Sequence, residues 1–192
     1  MKTVIIDCGG GNLQSVKNAL DFLGFANEIS SDLNQIQRAD RVIFPGQGHF
    51  GTVMQQLVQK KLLPALLLSA KTKPFLGICV GMQLLLNSSE EAPGVAGLGL
   101  IEGTVKKLPA SEKIPLMGWN EVEFQGQTGS YYFAHSYYCD VEDQSCVAAT
   151  TTYGLTYPCI LQRDRLCAVQ FHPEKSGEMG LQFLESFVRQ QW

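Results

Sequence analysis

The sequence is poor in charge and has very little histidine. Lysine and arginine together number 15, against 18 acidic residues and three histidines, which gives a net charge of −3 at pH 7. Binding of nucleic acid or of an anionic membrane surface requires clustered lysine and arginine, and the chain contains no such cluster. The low and scattered basic charge therefore argues against both kinds of partner.

Long apolar runs are also missing. The best candidate, residues 62–68, is short and interrupted by Pro64, whereas a membrane-spanning helix needs about 20 apolar residues. At the N-terminus only residues 4–6 are consecutively apolar before Asp7, which is too few for a signal peptide. We therefore expect no membrane helix and a cytoplasmic location.

Metal-binding motifs are absent as well. The six cysteines are Cys8, Cys79, Cys139, Cys146, Cys159 and Cys167, and no Cys-x-x-Cys or His-x-x-x-His pair occurs. Because zinc sites depend on such spacings, the sequence predicts no metal site, and no cofactor is expected. Without a signal peptide the thiols should stay reduced.

What the chain does have is the composition of an ordinary globular protein, with 45% hydrophobic residues in a length of 192. That length is sufficient for one full hydrophobic core. No repeat, low-complexity stretch or linker interrupts it. We therefore expect residues 1–192 to form a single domain.

The first half of the chain alternates short apolar runs with helical patterns. Predicted strands cover residues 3–6, 26–29, 41–44 and 74–78, and predicted helices cover residues 13–23, 52–58, 64–68, a short segment from Ser31 and the apolar residues from Val80 to Leu86. Such alternation with short connections predicts a mostly parallel sheet with helices on both faces.

The second half consists of short strands separated by turn residues. They cover residues 100–105, 121–124, 131–136, 146–152, 159–162 and 167–171, and a final helix runs from about 178 to 189. This pattern is typical of antiparallel hairpins, which we expect to extend the sheet.

Three glycine-rich segments, residues 9–11, 46–48 and 77–81, each follow the carboxyl end of a predicted strand. Ligand sites of open α/β sheets form at that edge. The first segment lacks the Gly-x-Gly-x-x-Gly pattern and the later acidic residue of a dinucleotide site. The sequence therefore predicts a site at this edge without a nucleotide.

Cys79 lies at the centre of the third segment, in the pattern Gly77-Ile-Cys79-Val-Gly81. A predicted strand before it and a predicted helix after it are the context of a nucleophile elbow, with cysteine in place of serine. Glycine at both ends allows the tight turn, since a side chain there would clash. The pattern also arises by chance, and most single cysteines are buried small hydrophobes. A catalytic role for Cys79 therefore requires a base elsewhere in the chain.

His172 is the best candidate for that base, because it ends the last predicted strand and precedes Pro173 and Glu174. Pro173 disfavours a helical conformation at His172, and in an extended segment His172 and Glu174 project to the same side. Glu174 would then orient the imidazole, which takes the thiol proton. The alternative is a partly buried histidine with a hydrogen-bonded neighbour. The carboxylate two residues away favours a Cys79–His172–Glu174 triad.

The other two histidines have less suitable surroundings. His135 lies among aromatic residues with no acid within two positions, which indicates a pocket wall or a hydrogen-bonded core residue. His49 lies in a glycine-rich turn, where we expect it to be solvated or at the rim of the site.

These motifs resemble those of the class I glutamine amidotransferases, which use a Cys-His-Glu triad. The segments Gly77-Ile-Cys-Val-Gly-Met-Gln83 and His172-Pro-Glu174 carry the resemblance. Residues 11–16, 44–51, 118–120, 135–138 and 170–176 are similar to the glutaminase subunits of imidazole glycerol phosphate synthases, which act in histidine biosynthesis. The resemblance implies an α/β fold with a central, mostly parallel sheet, flanking helices and an antiparallel extension in the second half.

The resemblance also implies the chemistry. Cys79 would attack the side-chain amide of glutamine, and His172, oriented by Glu174, would pass a proton to the leaving ammonia. Main-chain donors for the oxyanion and contacts to glutamine are implied at Gly46, Gln47, Gly48, Val80, Gln83, His135, Ser136 and Tyr137. Two positions depart from the family pattern, with Gln47 in place of valine and Cys8 in place of tyrosine. Because a main-chain amide is the donor, we expect function to survive at position 47.

The partner that the resemblance implies is a (β/α)8-barrel cyclase, in a heterodimer that delivers ammonia for imidazole glycerol phosphate. Asn12, Trp119, Tyr137 and Lys175 match positions at that interface. Each also has a structural alternative, namely a helix cap for Asn12, the core for both aromatic residues and a solvated charge for Lys175.

Four other functions have weaker support. Paralogues that supply ammonia to a nucleotide-sugar or surface-polysaccharide amidotransferase share most of these residues. The glutaminase of pyridoxal phosphate synthase is disfavoured by the segments 118–120 and 135–138. A cysteine peptidase or hydrolase that acts alone would lack Gln83. A non-catalytic interaction module would not need Cys79, His172 and Glu174 together.

Overall fold

Twelve strands and six α-helices follow one another in the computed structural model, which describes residues 1–191. The strands are β1 (Thr3–Ile6), β2 (Asn27–Ser30), β3 (Arg41–Gly46), β4 (Phe75–Cys79), β5 (Ser88–Ser89), β6 (Gly103–Lys107), β7 (Leu116–Phe124), β8 (Gln127–His135), β9 (Tyr137–Val141), β10 (Val147–Tyr153), β11 (Leu155–Arg163) and β12 (Leu166–Val169). The helices are α1 (Leu13–Phe22), α2 (Leu33–Arg38), α3 (Phe50–Gln59), α4 (Leu63–Thr72), α5 (Val80–Gln83) and α6 (Gly177–Arg189).

The central sheet has seven strands in the order β10-β11-β12-β4-β3-β1-β2. The five strands from β12 to β2 are parallel, and β11 and β10 continue the sheet in antiparallel pairing. Every residue of β1, β3, β4 and β12 is buried, which requires cover on both faces. The predicted parallel sheet with an antiparallel extension is confirmed. None of the helices in residues 1–191 has the length and apolar character needed to cross a membrane.

Two smaller sheets stand apart from the central one. Strands β7 and β8 pair only with each other, and β5, β6 and β9 form a three-stranded sheet. The prediction that all second-half hairpins extend the central sheet was therefore wrong. Inward residues of β7 such as Leu116 and Val122 are buried, while Met117 and Trp119 face outward and are exposed. This one-sided burial is typical of an antiparallel ribbon that covers one side of a domain.

The helix after the elbow is shorter than predicted. It ends at Gln83, although Leu84, Leu85 and Leu86 continue the apolar pattern and are fully buried. Their carbonyl oxygens accept hydrogen bonds from the loop at residues 98–101, including one of 2.8 Å from Leu98 to Leu84. The main chain of this apolar segment is therefore paired with a distant loop, which replaces further helical turns.

Candidate active site

Cys79 ends β4 in a strained backbone conformation, with φ of 55° and ψ of −112°. Residues other than glycine rarely adopt positive φ, and such strain recurs at active sites. The surrounding main chain is very close. A Cβ at Gly81 would lie 2.1 Å from the oxygen of Phe44, and one at Gly77 would lie 2.8 Å from the oxygen of Gly81. The need for glycine at both ends of the elbow is confirmed.

His172 follows β12, the strand that is paired with β4. Strand β12 runs parallel to β4 with Val169 opposite Ile78, so both strands end at the same edge. His172 and Cys79 line the same cavity and interact electrostatically, and Nδ1 of His172 lies 2.8 Å from Oε1 of Glu174. The local path differs from the predicted extended segment, because Pro173–Lys175 form a 3₁₀ turn. The contact between His172 and Glu174 is nevertheless present.

The electrostatics of His172 favour its protonated form. Burial by itself lowers the pKa of His172, but its interactions with the Cys79 sulfur and the Glu174 carboxylate outweigh burial and raise it to about 10. The side chains of His172 and Glu174 are only 6% and 1% exposed, so water screens their attraction poorly. The ring therefore holds a proton beside the sulfur at neutral pH.

A cavity of about 330 Å³ opens above Cys79 and His172. Its walls include most of the residues expected to hold an oxyanion and glutamine, namely Gln47, Gly48, Val80, Gln83, His135, Ser136 and Tyr137. Gly46 lies deeper, where an added Cβ would be 2.5 Å from the main-chain nitrogen of Gly81. Val80 is the first residue of α5, and N–H groups at that position have no intrahelical partner. The cavity thus combines a thiol, an imidazolium and an available main-chain donor.

His135 is held in one orientation by two hydrogen bonds. Its Nδ1 lies 2.8 Å from the main-chain oxygen of Tyr137, and its Nε2 lies 3.1 Å from the hydroxyl of Tyr157. Because a carbonyl oxygen only accepts, Nδ1 carries the hydrogen and Nε2 accepts from Tyr157. Burial lowers the pKa of His135 to about 4, so the ring is neutral. His135 thus has features of both alternatives, because it lines the cavity and is also a buried, hydrogen-bonded residue.

Comparison with known proteins identifies the family. The family described as glutamine amidotransferase class-I matches residues 4–191. The imidazole glycerol phosphate synthase subunit HisH of Moorella thermoacetica is 47% identical over 193 residues, which cover 95% of this chain and 92% of that protein. The corresponding subunit of Methanothermobacter thermautotrophicus is 42% identical over 194 residues, with 96% of each chain covered. The chain belongs to the HisH family of class I glutamine amidotransferases.

Solved structures with low sequence identity to this chain share its fold. A crystal structure described as a glutamine amidotransferase has a TM-score of 0.79 at 19% identity, with 97% of both chains covered. The structure of PurLQS from Thermotoga maritima has a TM-score of 0.78 at 17% identity, with 100% of this chain and 99% of that chain covered. The fold that the resemblance implied is therefore confirmed.

Glu91 also lines the cavity, which the sequence did not indicate. Its Oε2 accepts a 2.6 Å hydrogen bond from the main-chain N–H of Phe50, the first residue of α3, and it lines the cavity. Glu91 lies in an irregular segment after β5, where no periodicity shows which side chains turn inward. Its contact with Phe50 holds a carboxylate at the wall of the cavity.

Two exposed apolar side chains share the outer face of β7, the strand that reaches the cavity through Met117. Met117 lines it and is 67% exposed, and Trp119 is 57% exposed. The ring of Trp119 packs edge-on against Tyr132, with 6.0 Å between centroids, and Lys175 Nζ lies 5.9 Å from the centroid of the same Tyr132 ring. The alternative that Trp119 belongs to the core is wrong. The cluster of Met117, Trp119, Tyr132 and Lys175 is called the mouth patch below.

The remaining residues of interest lie near the first two glycine loops. Asn12 occupies the N-cap position of α1, but its Oδ1 accepts from the hydroxyl of Ser15 and does not cap the main chain. His49 is exposed and caps α3 by accepting the N–H of Gly51 at Nδ1. Cys8 is buried. No group of three or more His, Cys, Asp or Glu side chains in residues 1–191 is arranged to hold a metal ion.

Proposed function

We propose that the chain hydrolyses L-glutamine to glutamate and ammonia with Cys79 as nucleophile, and that residues 1–192 act as one amidotransferase domain. The observation that carries this proposal is that Cys79 and His172 line one cavity, with His172 hydrogen-bonded to Glu174, in a member of an amidotransferase family. A nucleophile, a base and an orienting carboxylate within hydrogen-bond reach are what acyl transfer to a thiol requires.

The reaction proceeds in two steps. Cys79 Sγ forms a bond to the side-chain amide carbon of glutamine, the C–N bond breaks, and His172 gives its proton to the nitrogen that leaves as ammonia. A water molecule, deprotonated by His172, then attacks the γ-glutamyl thioester, and the C–S bond breaks to release glutamate. Glu174 keeps Nδ1 engaged, so Nε2 faces the sulfur in both steps.

The oxyanion of each step is stabilised by main-chain N–H groups of Val80 and of the loop at residues 46–48. Gly48 has a φ of 98°, and nothing lies within 4 Å of the place where its Cβ would be, so the loop peptide has space to turn its N–H toward the substrate. Gln47 is exposed, and a main-chain donor does not depend on its side chain. The glutamine at this position is therefore compatible with the reaction.

The amino-acid end of glutamine is held by polar groups of the cavity wall. The Glu91 carboxylate provides negative charge for the α-ammonium group. Both N–H groups of Gln83 are used, in bonds to the main-chain oxygen of Tyr137 and to Gln170, which leaves its amide oxygen to accept from the substrate. His135 and Ser136 complete the wall. These contacts select a free amino acid with an amide side chain.

The ammonia is delivered to a partner chain, a (β/α)8-barrel cyclase that forms imidazole glycerol phosphate in histidine biosynthesis. The relatives are named as subunits of imidazole glycerol phosphate synthase, and an exposed apolar surface beside the cavity is typical of an interaction site. Trp119 and Lys175 of the mouth patch, together with Asn12, form the interface. We place the complex in the cytoplasm.

The test is reconstitution with the cyclase, with glutamate release and cyclase product measured separately. Cys79→Ala should abolish glutamine-dependent synthesis and leave ammonia-dependent synthesis intact. Loss of both activities would mean that Cys79 serves folding or docking. The isolated chain should hydrolyse glutamine slowly and be stimulated by the cyclase with its ligand. Stimulation by a nucleotide-sugar amidotransferase, and none by the cyclase, would identify the paralogue.

A further inference from the structure

Gln170 is a buried polar residue to which the proposed reaction gives no role. It directly follows β12, and the register that sets Val169 opposite Ile78 brings it beside Cys79. Its side chain is completely buried. Its Nε2 lies 3.7 Å from Cys79 Sγ, and its Oε1 lies 3.0 Å from Nε2 of Gln83. The amide thus bridges the sulfur and a wall of the cavity.

One main-chain oxygen determines which end of the Gln170 amide faces Cys79. Gln83 Nε2 lies 2.8 Å from the main-chain oxygen of Tyr137, and because that oxygen only accepts, the Gln83 amide can have only its nitrogen there. The same nitrogen faces Gln170, so Gln170 must present its oxygen to Gln83. A flipped Gln170 amide would set two donors against each other. Its N–H group is therefore directed at Cys79.

We propose that Gln170 is a positioning residue for the nucleophile. Its N–H group donates to the sulfur and favours the thiolate over the thiol, because a thiolate is the stronger acceptor. Its carbonyl oxygen fixes the Gln83 amide in the orientation that the substrate meets. The link to turnover rests on the proposed function, whereas the effect on the sulfur does not.

Other titratable groups also act on the sulfur and remain in place when Gln170 is changed. His172, which follows β12, and Cys139 on β9 both interact electrostatically with it. Glu174 and His135 act through His172, and Glu91 and Lys175 line the same cavity. A shift specific to Gln170 variants therefore reports the amide and not these groups.

The test uses the full chain and the rate of Cys79 alkylation by iodoacetamide as a function of pH, with the modified residue identified by mass spectrometry. Gln170→Met removes both hydrogen bonds, while Gln170→Glu keeps an acceptor for Gln83 and removes the donor to Cys79. We expect both variants to lower the alkylation rate near neutral pH about tenfold, the low end for loss of a hydrogen bond to a charged group. Both should move the midpoint of the pH profile upward.

Steady-state kinetics of the complex with the cyclase distinguish the effects of the two hydrogen bonds that Gln170 makes, to Cys79 and to Gln83. Both variants should lower kcat, and only Gln170→Met should also raise KM, because only there does Gln83 lose its partner. Gln162→Met is the matched control, since Gln162 lies opposite another cysteine, Cys167, in the pairing of β11 with β12. It should leave the alkylation profile of Cys79 unchanged.

An alkylation profile of Gln170→Met that coincides with the wild type overturns the proposal, as does an equal shift in Gln162→Met. If Gln170→Met does not fold, the profile of Gln170→Leu, which also removes both hydrogen bonds and adds no charge, decides by the same criterion. A wild-type complex that releases no glutamate from glutamine would refute the proposed function, while the alkylation experiment would still decide the role of Gln170.

Discussion

Ser176 Oγ donates a 2.6 Å hydrogen bond to the main-chain oxygen of His172. The same Oγ accepts the N–H of Tyr132, whose carbonyl in turn accepts the N–H of His172. These three bonds close a ring that joins the histidine to β8. Ser176 is buried, so each bond is shielded from water. The backbone of His172 is therefore fixed independently of its contacts with Cys79 and Glu174.

Ser176→Ala should remove two of these bonds and leave the Tyr132 N–H without a partner. We expect the free energy of unfolding to fall by about 1–3 kcal/mol and kcat for glutamine to fall with it, because the imidazole loses its fixed position. Urea denaturation and glutaminase assays of the complex measure both effects. A loss of stability of this size with unchanged kcat would show that the triad alone positions the ring.

His172→Ala should cost far more activity than Glu174→Gln. The histidine transfers protons in both proposed steps, whereas the glutamine side chain of the second variant still offers an oxygen to Nδ1. By analogy with serine-protease triads, we expect losses in kcat of roughly 10⁶ and 10⁴. Single-turnover kinetics of the complex give the comparison. Equal losses would assign Glu174 a role other than orientation.

The free energy of unfolding should depend on pH because His172 has different pKa values in the folded and unfolded chain. Its pKa rises from 6.5 to about 10 on folding, so the folded chain binds this proton more tightly than the unfolded chain. The resulting stabilisation is complete below pH 6.5 and is lost as the pH rises through 10. The free energy of unfolding should therefore decline over this interval, and less steeply in His172→Asn. Parallel curves for the two proteins would contradict the raised pKa.

Gly81→Ala should destabilise the fold by about 3 kcal/mol or more, because the new methyl group would lie 2.1 Å from the oxygen of Phe44 and overpacking of this severity moves main chain. Gly118→Ala is the matched control, since nothing lies within 4 Å of its Cβ position. Thermal unfolding of both variants measures the difference. Similar melting temperatures would mean that the elbow can relax at little cost.

Trp119→Ala should leave the isolated chain folded, because the side chain is 57% exposed, and weaken binding of the cyclase at least tenfold, as expected for a central aromatic residue of an interface. Phe22→Ala is the control, since Phe22 on α1 is an aromatic residue with 77% exposure that lies outside the mouth patch. Titration calorimetry gives both affinities. Equal affinities for the two variants would show that Trp119 does not belong to the interface.

Features that depend on local pattern could be predicted from the sequence. The end of β4, the glycines around Cys79 and the acid after His172 all lie within short segments, where strand periodicity and the steric demands of a tight turn apply. The sulfur and the imidazole meet because parallel neighbouring strands end at one edge. Placing both groups at that edge requires only the order of the strands in the sheet.

Features that depend on distant contacts could not be predicted. Glu91 is held by Phe50, 41 positions away, and Gln170 contacts Cys79 across 91 positions. The apolar run after Gln83 fits a helix equally well, and only the loop at residues 98–101 ends it. The strands of the two small sheets carry the same alternation as those of the central sheet, so their pairing partners are set by tertiary packing.

The main-chain oxygen of Tyr137 sets the donor and acceptor direction of the hydrogen bonds that link the cavity wall to Cys79. Substitution of Tyr137 changes the side chain but leaves that oxygen in place. The orientations of the Gln83 and Gln170 amides therefore do not depend on which side chain stands at position 137. Sequence drift at position 137 can thus adjust the shape of the cavity without reversing the hydrogen bond that reaches Cys79. With Gln83 and Gln170 unchanged, only a change in the path of the backbone between β8 and β9 could do so.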